Sequence, residues 1–332
     1  MTVTIHDVAR VTGVSVSTVS RVLNNKDDVA PETFEKVRRV IDELGYTSSL
    51  AARSMRSHKT NVIGLVMRDL TSAFNMYVVK GVNLAIEKFG YDLMVYTGVT
   101  KGNETLKVWE QRQISRLNGS LTDGIIVSTP VAKHFSTAFP LVTVDSHIQG
   151  SEFPAVIATN HRGALAVLEY LIGLGHTRIG FIGGHTYLQS ATRRLQGYLD
   201  GLREAGIPID PELIQSGNFR REKGYECALK LLDLPNPPTA IFAANDNSAV
   251  GVMEAVRDRG LSIPHDLSLV GFDNMPESAY LNPPLTTVDQ SIEEMGFVAA
   301  EMLINLIEGE ALESNLHKIP TKLIIRDSCR AL

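Results

Sequence analysis

The chain has few of the residues that would place it outside a reducing compartment or give it redox or metal chemistry. Of its 332 residues only Cys227 and Cys329 are cysteine. With no CxxC and no Cys/His cluster, neither a disulfide framework nor a structural zinc is supported. Long apolar runs are missing as well. None reaches the ~18 residues of a membrane span, and no charged n-region with an apolar h-region precedes a cleavage site. These absences predict a cytoplasmic protein with no membrane partner. No Ser/His/Asp order or metal-ligand spacing stands out, so we expect no enzyme, no cofactor and no metal site. The stretch "GFIGG" at residues 180–184 invites a dinucleotide reading, but it lacks the GxGxxG spacing and the acidic residue on the next strand. His6, His134 and His176 read as structural or surface residues, and Trp109, on an amphipathic stretch, as packing.

Positive charge is scarce overall, with a net charge of −5, but it is unevenly spread. Residues 1–59 hold 9 Lys+Arg against 7 Asp+Glu, and the remainder holds 23 against 30. The small N-terminal part is therefore the candidate polyanion binder, while the acidic bulk would avoid nucleic acid. Hydrophobic residues at 44% and charged residues at 21% exclude disorder, and the length suggests two domains or more.

What is present begins with "TIHDVARVTGVSVSTVSRVLNN". Thr4 caps a helix with Asp7 three residues on, and Ile5, Val8, Ala9 and Thr12 follow at helical spacing up to Gly13. Ser15 then caps a second helix, in which Val19, Val22 and Leu23 share one side while Ser17, Arg21 and, more loosely, Thr18 lie opposite. A third helix fits "APETFEKVRRVIDELGY", with Pro31 in its first turn and Gly45 as its stop. Residues 47–60 are polar and basic, and their helical patch at 50–55 is too short to stand alone in water, so this stretch reads as a linker that folds on contact. From Asn61 onward apolar strands such as "VIGLVM", "GIIVS", "LVTVD", "AIFAAND" and "LSLVGFD" alternate with amphipathic helices. That pattern predicts an α/β fold of parallel sheets covered on both faces, with enough strands for two sheets and a crossover near residues 158–160.

A helix pair with a polar face is either a solvated hairpin or a helix-turn-helix whose second helix enters the DNA major groove. "DVARVTGVSVSTVSRVLN" closely resembles the N-terminal signature of the LacI/GalR family of bacterial repressors, and the match runs on through "VRRVIDELGY" and "AARSM". Later segments, including "GHTRIGFIGG", "FAANDNSAVGVMEAV", "IPHDLSLVGFDN" and "PPLTTVDQ", resemble the same family's regulatory core. The resemblance thus covers essentially the whole chain. It implies a helix-turn-helix domain at 1–46, a hinge at 47–60 and a ligand-binding core at 61–332 of periplasmic-binding-protein type. Within the core it implies one doubly wound subdomain from 61–159 and 290–321, and another from 160–289 and 322–332.

On that resemblance Val16, Ser17 and Arg21 read bases and Thr18 lies beside them. Thr4, Asn24, Leu50, Ala52, Arg53 and Met55 complete the DNA-contacting set. Arg21 can donate a bidentate pair to guanine, and Val16 can meet a thymine methyl. Met55 stands where the family usually has a leucine wedge for the minor groove, and Ala30 where it has a capping serine.

In the core, Asp145, Asn245 with Asp246, and Asp273 each follow an apolar strand directly. Spacing alone leaves open whether such a residue caps the next helix or meets a ligand at the carboxyl end of the sheet. The family match assigns to the ligand Phe74, Asn75, Ser128, Asp145, Ser190, Arg194, Phe219, Asn245, Asp273 and Gln290. Thr159 departs from the aspartate of many members, and Leu188 sits where a purine-binding relative has an arginine. Carboxylates, amides and one guanidinium beside an aromatic platform suit a neutral sugar or polyol, whereas a sugar phosphate would want more cations than Arg194.

The function implied is a ligand-controlled transcription factor, a repressor of carbohydrate-metabolism genes. It would act as a homodimer on a pseudo-palindromic double-stranded operator, with no room after "HKIPTKLIIRD" for tetramerising heptads. A sugar receptor of transport type would share the core but have no use for residues 4–25. A Rossmann-type enzyme would need cofactor or catalytic groups that are not found.

Overall fold

A computed structural model describes residues 3–23, 25–26, 28–46, 59–98, 100, 102–117, 121–145 and 152–332. The chain divides into two compact units, Met1–Thr60 and Asn61–Leu332.

In the first unit, α1 (Ile5–Thr12) starts at a carboxylate clamp, because Asp7 accepts hydrogen bonds from both the Thr4 amide (2.9 Å) and the Thr4 hydroxyl (2.7 Å). It stops at Gly13, whose φ of 69° a side chain would resist. Helix α2 (Val16–Leu23) starts where the Thr18 amide donates to Ser15 Oγ at 3.1 Å. Helix α3 (Pro31–Leu44) has proline in its first turn and ends at Gly45, but its N-cap is Ala30, which offers no side-chain acceptor. Helices of eight residues do not hold in water by themselves. Here Val8, Val19, Val22, Val37 and Val40, one or two from each helix, close with Tyr46 into a single core.

The second unit contains two parallel sheets. The first joins β1 (Val62–Val66), β2 (Asp92–Tyr96), β3 (Gly124–Ser128), β4 (Leu141–Val144), β5 (Ala155–Ala158) and β11 (Leu316–Ile319) in the order β11-β5-β4-β3-β1-β2. Ile63, Leu65, Ile126, Val142 and Val144 face α4 (Ala73–Phe89) and α10 (Ile292–Ile307). On the opposite face Val66, Ile125 and Val127 meet Trp109, Ile114 and Leu117 of α5 (Leu106–Leu117). The second sheet joins β6 (Ile179–Ile182), β7 (Ile214–Gln215), β8 (Ala240–Ala243) and β9 (Ser268–Val270) in the order β7-β6-β8-β9. Its faces are covered by α6 (Asn160–Gly173) with α7 (Gln189–Glu204), and by α8 (Arg221–Leu232) with α9 (Asp246–Asp258).

The antiparallel pair β10 (Thr287–Asp289) and β12 (Lys322–Ile324) continues from β9 through bridges at Val270–Thr286 and Asp273–Asp289. The chain passes from one sheet to the other after Ala158, after Asp289 and after Ile319. Two of these passages are tied together, since the Thr321 amide donates to Thr159 Oγ1 (2.9 Å) and the two hydroxyls lie 3.0 Å apart. Thr159 therefore stabilises the passages themselves.

Candidate functional site

Two places gather the residues singled out in the sequence, one in each unit. In the first unit α2 buries Val19 and Val22 and leaves Ser17 and Arg21 exposed, with Val16 and Thr18 half-buried beside them. Arg21 Nη1 lies 3.2 Å from Asp28 Oδ2, and both side chains are 58% exposed. An exposed pair of this kind contributes only about 0–1 kcal/mol, so the guanidinium is available for exchange onto a base edge. The Ser17 and Thr18 hydroxyls share Ser15 Oγ at 2.7 and 2.8 Å. Thr4 is exposed, but its hydroxyl is committed to Asp7. Asn24, Leu50, Ala52, Arg53 and Met55 lie outside the described residues.

In the second unit a cavity of about 560 Å³ opens at the carboxyl ends of both sheets, within the usual range of small-molecule sites (~300–1,000 Å³). Phe74, Asn75, Asp145, Ser190, Arg194, Phe219, Asn245 and Asp273 all line it. Four lining residues without the freedom of glycine hold a positive φ: Thr129 (49°), Asp145 (59°), Phe219 (66°) and Asp273 (119°). Such backbone costs about 1–3 kcal/mol per residue and persists where the surroundings fix it, which is characteristic of binding sites. Phe219 reaches its place because residue 184 is glycine: a Cβ there would lie 2.0 Å from the Phe219 ring. The "GFIGG" stretch thus makes room for an aromatic wall.

The floor is a buried polar network centred on Arg194. Its Nε donates to Asn160 Oδ1 (2.8 Å), Nη1 to the Ala244 carbonyl and to Asp273 Oδ1 (3.3 Å), and Nη2 to Gln290 Oε1 (3.3 Å). The guanidinium stacks 3.8 Å from the Phe272 ring centroid and lies 5.7 Å from that of Phe219. Asp145 accepts from Ser190 Oγ at 2.9 Å. One guanidinium serves two buried carboxyls. Burial pushes Asp145 up to about 6 against the pull of Arg194, Ser190 and Asn160. Burial also pushes Asp273 up to about 8; Arg194 opposes the rise while Asp246 and Asp145 add to it.

Asn245 caps the next helix and also lines the cavity. Its Oδ1 caps α9 by accepting from the Ser248 amide (3.0 Å), and its Nδ2 donates to the Phe219 carbonyl (3.0 Å) at the cavity wall. Asp246, by contrast, is a structural hub that accepts from Thr287 Oγ1, Ser278 Oγ and the Met275 amide.

Two assigned residues do not line the cavity. Ser128 stands behind Asn75 and donates to its Oδ1 at 2.7 Å. Gln290 is fully buried and donates to Asp273 Oδ1 at 2.6 Å. Both stand behind residues that line the cavity. The structure also adds residues that the sequence reading missed, among them Arg68, Asp69, His185, Tyr187, Arg220 and Arg221. Arg68 and Asp69 follow the apolar run "VIGLVM", so the rule that singled out Asp145 and Asp273 would have found them. Arg194 is therefore not the sole cation of the cleft. Trp109 is 1% exposed and packed in the core, as expected, while also bordering the cavity.

Residues 4–49 match the family described as bacterial regulatory proteins, lacI family, and residues 148–329 match the periplasmic binding protein-like domain. A probable HTH-type transcriptional repressor ExuR of Bacillus subtilis (strain 168) is 32% identical over 99% of this chain and 99% of its own length. Among solved structures, the lac repressor dimer bound to operator and the anti-inducer ONPF is similar at a TM-score of 0.89 and 27% identity, covering 100% of both chains. A transcriptional regulator CelR-cellobiose complex has a TM-score of 0.72 and 29% identity, covering 98% of this chain and 99% of its own. An exposed polar recognition helix followed by a two-sheet core with a ligand cavity is what such regulators need, and this chain belongs to the lacI family of bacterial regulatory proteins, as a DNA-binding transcriptional regulator and not an enzyme.

Proposed function

We propose that the protein is a homodimeric repressor of carbohydrate-metabolism genes whose operator affinity is set by a small sugar-like effector in the cavity. The observation that carries this reading is the convergence of Asp145, Arg194, Asn245 and Asp273 with Phe74 and Phe219 around one cavity. Sugar hydroxyls donate and accept at once, so they suit a floor of carboxylate, amide and guanidinium, and the C–H face of the ring suits an aromatic wall. The cellobiose complex of a similar regulator supports the same ligand class.

On the DNA side the reading uses Val16, Ser17, Thr18 and Arg21 in the major groove of each half-site, with Thr4 and Asn24 nearby. Leu50, Ala52, Arg53 and Met55 enter the minor groove at the centre. A dimer then meets a pseudo-palindromic operator, and effector and operator are linked by a coupling free energy, typically about 1–3 kcal/mol.

The test is to select binding sites from a random DNA pool with the full chain, then titrate the selected operator with and without mono- and disaccharides. We expect a palindromic consensus, sedimentation at twice the chain mass, and a sugar that changes operator affinity about 5- to 150-fold. A nucleobase or amino acid that shifts operator affinity while every sugar leaves it unchanged refutes the effector class.

A further inference from the structure

The cations around the cavity differ in how fully they are satisfied. Arg194 spends its donors on the floor network, and Arg221 is held through two hydrogen bonds by the Glu254 carboxylate. Arg220 has a loose rim partner, Asp69 at 3.5 Å, whose carboxylate already accepts from the Thr71 amide and hydroxyl.

Arg68 is different. Its Nη1 donates to the phenol oxygen of Tyr187 at 3.1 Å, and its Nε is buried with no hydrogen-bond partner among the described residues. Glu110 feels the Arg68 charge, but its oxygens are occupied by the Val131 and Ala132 amides. A buried guanidinium nitrogen without an acceptor is costly, so its presence at a ligand cavity points to an acceptor that arrives with the ligand. Three helices add to this field. The N-termini of α4, α7 and α8 border the cavity, and none carries a side-chain cap bond. Helix N-termini favour negative charge. His185, stacked on Tyr187 at 4.8 Å, has its pKa lowered by burial and by both Arg68 and Arg220, so it adds no charge of its own near neutral pH.

We propose that the effector is an acidic sugar, whose anionic oxygens are bound by Arg68 with help from Arg220 while its hydroxyls occupy the Arg194–Asp273 floor. This rests on the sugar reading above and departs from the neutral sugar that Arg194 alone would suggest. The common chemistry is a carboxylate or phosphate on a monosaccharide.

Calorimetry on the full chain would compare glucose, galactose and fructose with glucuronate, galacturonate and gluconate, and with the 6-phosphates of the three neutral sugars. Binding is expected only among the anions, and whether an acid or a phosphate binds names the source of the charge. Arg68→Gln should weaken it about 10- to 100-fold, Arg68→Lys should recover part of that loss, and operator binding without effector should stay unchanged. A neutral sugar that binds as tightly as its acid, or an anion unaffected by Arg68→Gln, overturns the inference and leaves the sugar reading standing. If no sugar of any kind binds, both are overturned.

Discussion

Replacing Arg194 by alanine should unsettle the core before it affects recognition. The side chain is 4% exposed and is the ion-pair partner of Asp273, with Asp145 also under its influence. Above about pH 8, where Asp273 gives up its proton, removing Arg194 leaves a carboxylate without its counter-ion and strips partners from Asn160, Gln290 and the Ala244 carbonyl. Breaking a buried pair from one side costs about 3–5 kcal/mol, and for a core of this size that corresponds to a melting shift of about 6–10 °C. Asp273→Asn in the same background should return part of the loss, because it removes the stranded carboxyl while keeping an amide for Gln290. Scanning calorimetry of wild type, both single variants and the double variant, run above about pH 8, measures the coupling. A loss below about 1 kcal/mol for Arg194→Ala, or single losses that add within about 0.5 kcal/mol, refutes the argument that the two groups satisfy one another. Sugar binding by Arg194→Ala is meaningful only at temperatures where its core remains folded.

Arg21→Ala should remove about 1–3 kcal/mol per half-site from specific binding while leaving weak, salt-sensitive binding; an unchanged ratio of operator to scrambled-DNA affinity would exclude base reading by Arg21. Ala30→Ser should stabilise the N-terminal unit by about 1 kcal/mol, because α3 lacks an N-cap acceptor, and denaturant melts followed by helix content would show it. Between pH 6 and 8, folded Asp273, pushed up to about 8, holds a proton that an unfolded aspartate near 3.8 has released. Its contribution to stability is therefore present at low pH and is lost as pH rises through about 8, so wild type should lose stability over this window relative to Asp273→Asn. Parallel pH profiles for the two proteins would show that the proton is absent.

Much of this protein is written locally. The Thr4–Asp7 clamp, the glycine stops at 13 and 45, and valines at helical spacing specify the three-helix unit from neighbouring residues alone, because caps and periodicity act within one or two turns. The alternation of apolar strands with helices likewise announces parallel sheets, and polar residues soon after some strands, Asp145 after β4 and Asn245 after β8, mark the cavity edge. Only the tertiary structure decided which of those residues meet. Strand order in the first sheet is β11-β5-β4-β3-β1-β2, so β1 separates β2 from β3, and β11 joins β5 from far along the chain. Arg68 finds Tyr187 across 119 residues, and Ser128 finds Asn75 across 53. Burial is non-local in the same way. The family resemblance assigns Gln290 to the ligand, and its place behind Asp273 follows from the passage between the two sheets after β10. Whether a guanidinium is spent, as at Arg194, or left with an unpartnered nitrogen, as at Arg68, depends on which acceptors the fold brings within about 3 Å, and no local pattern encodes that distance.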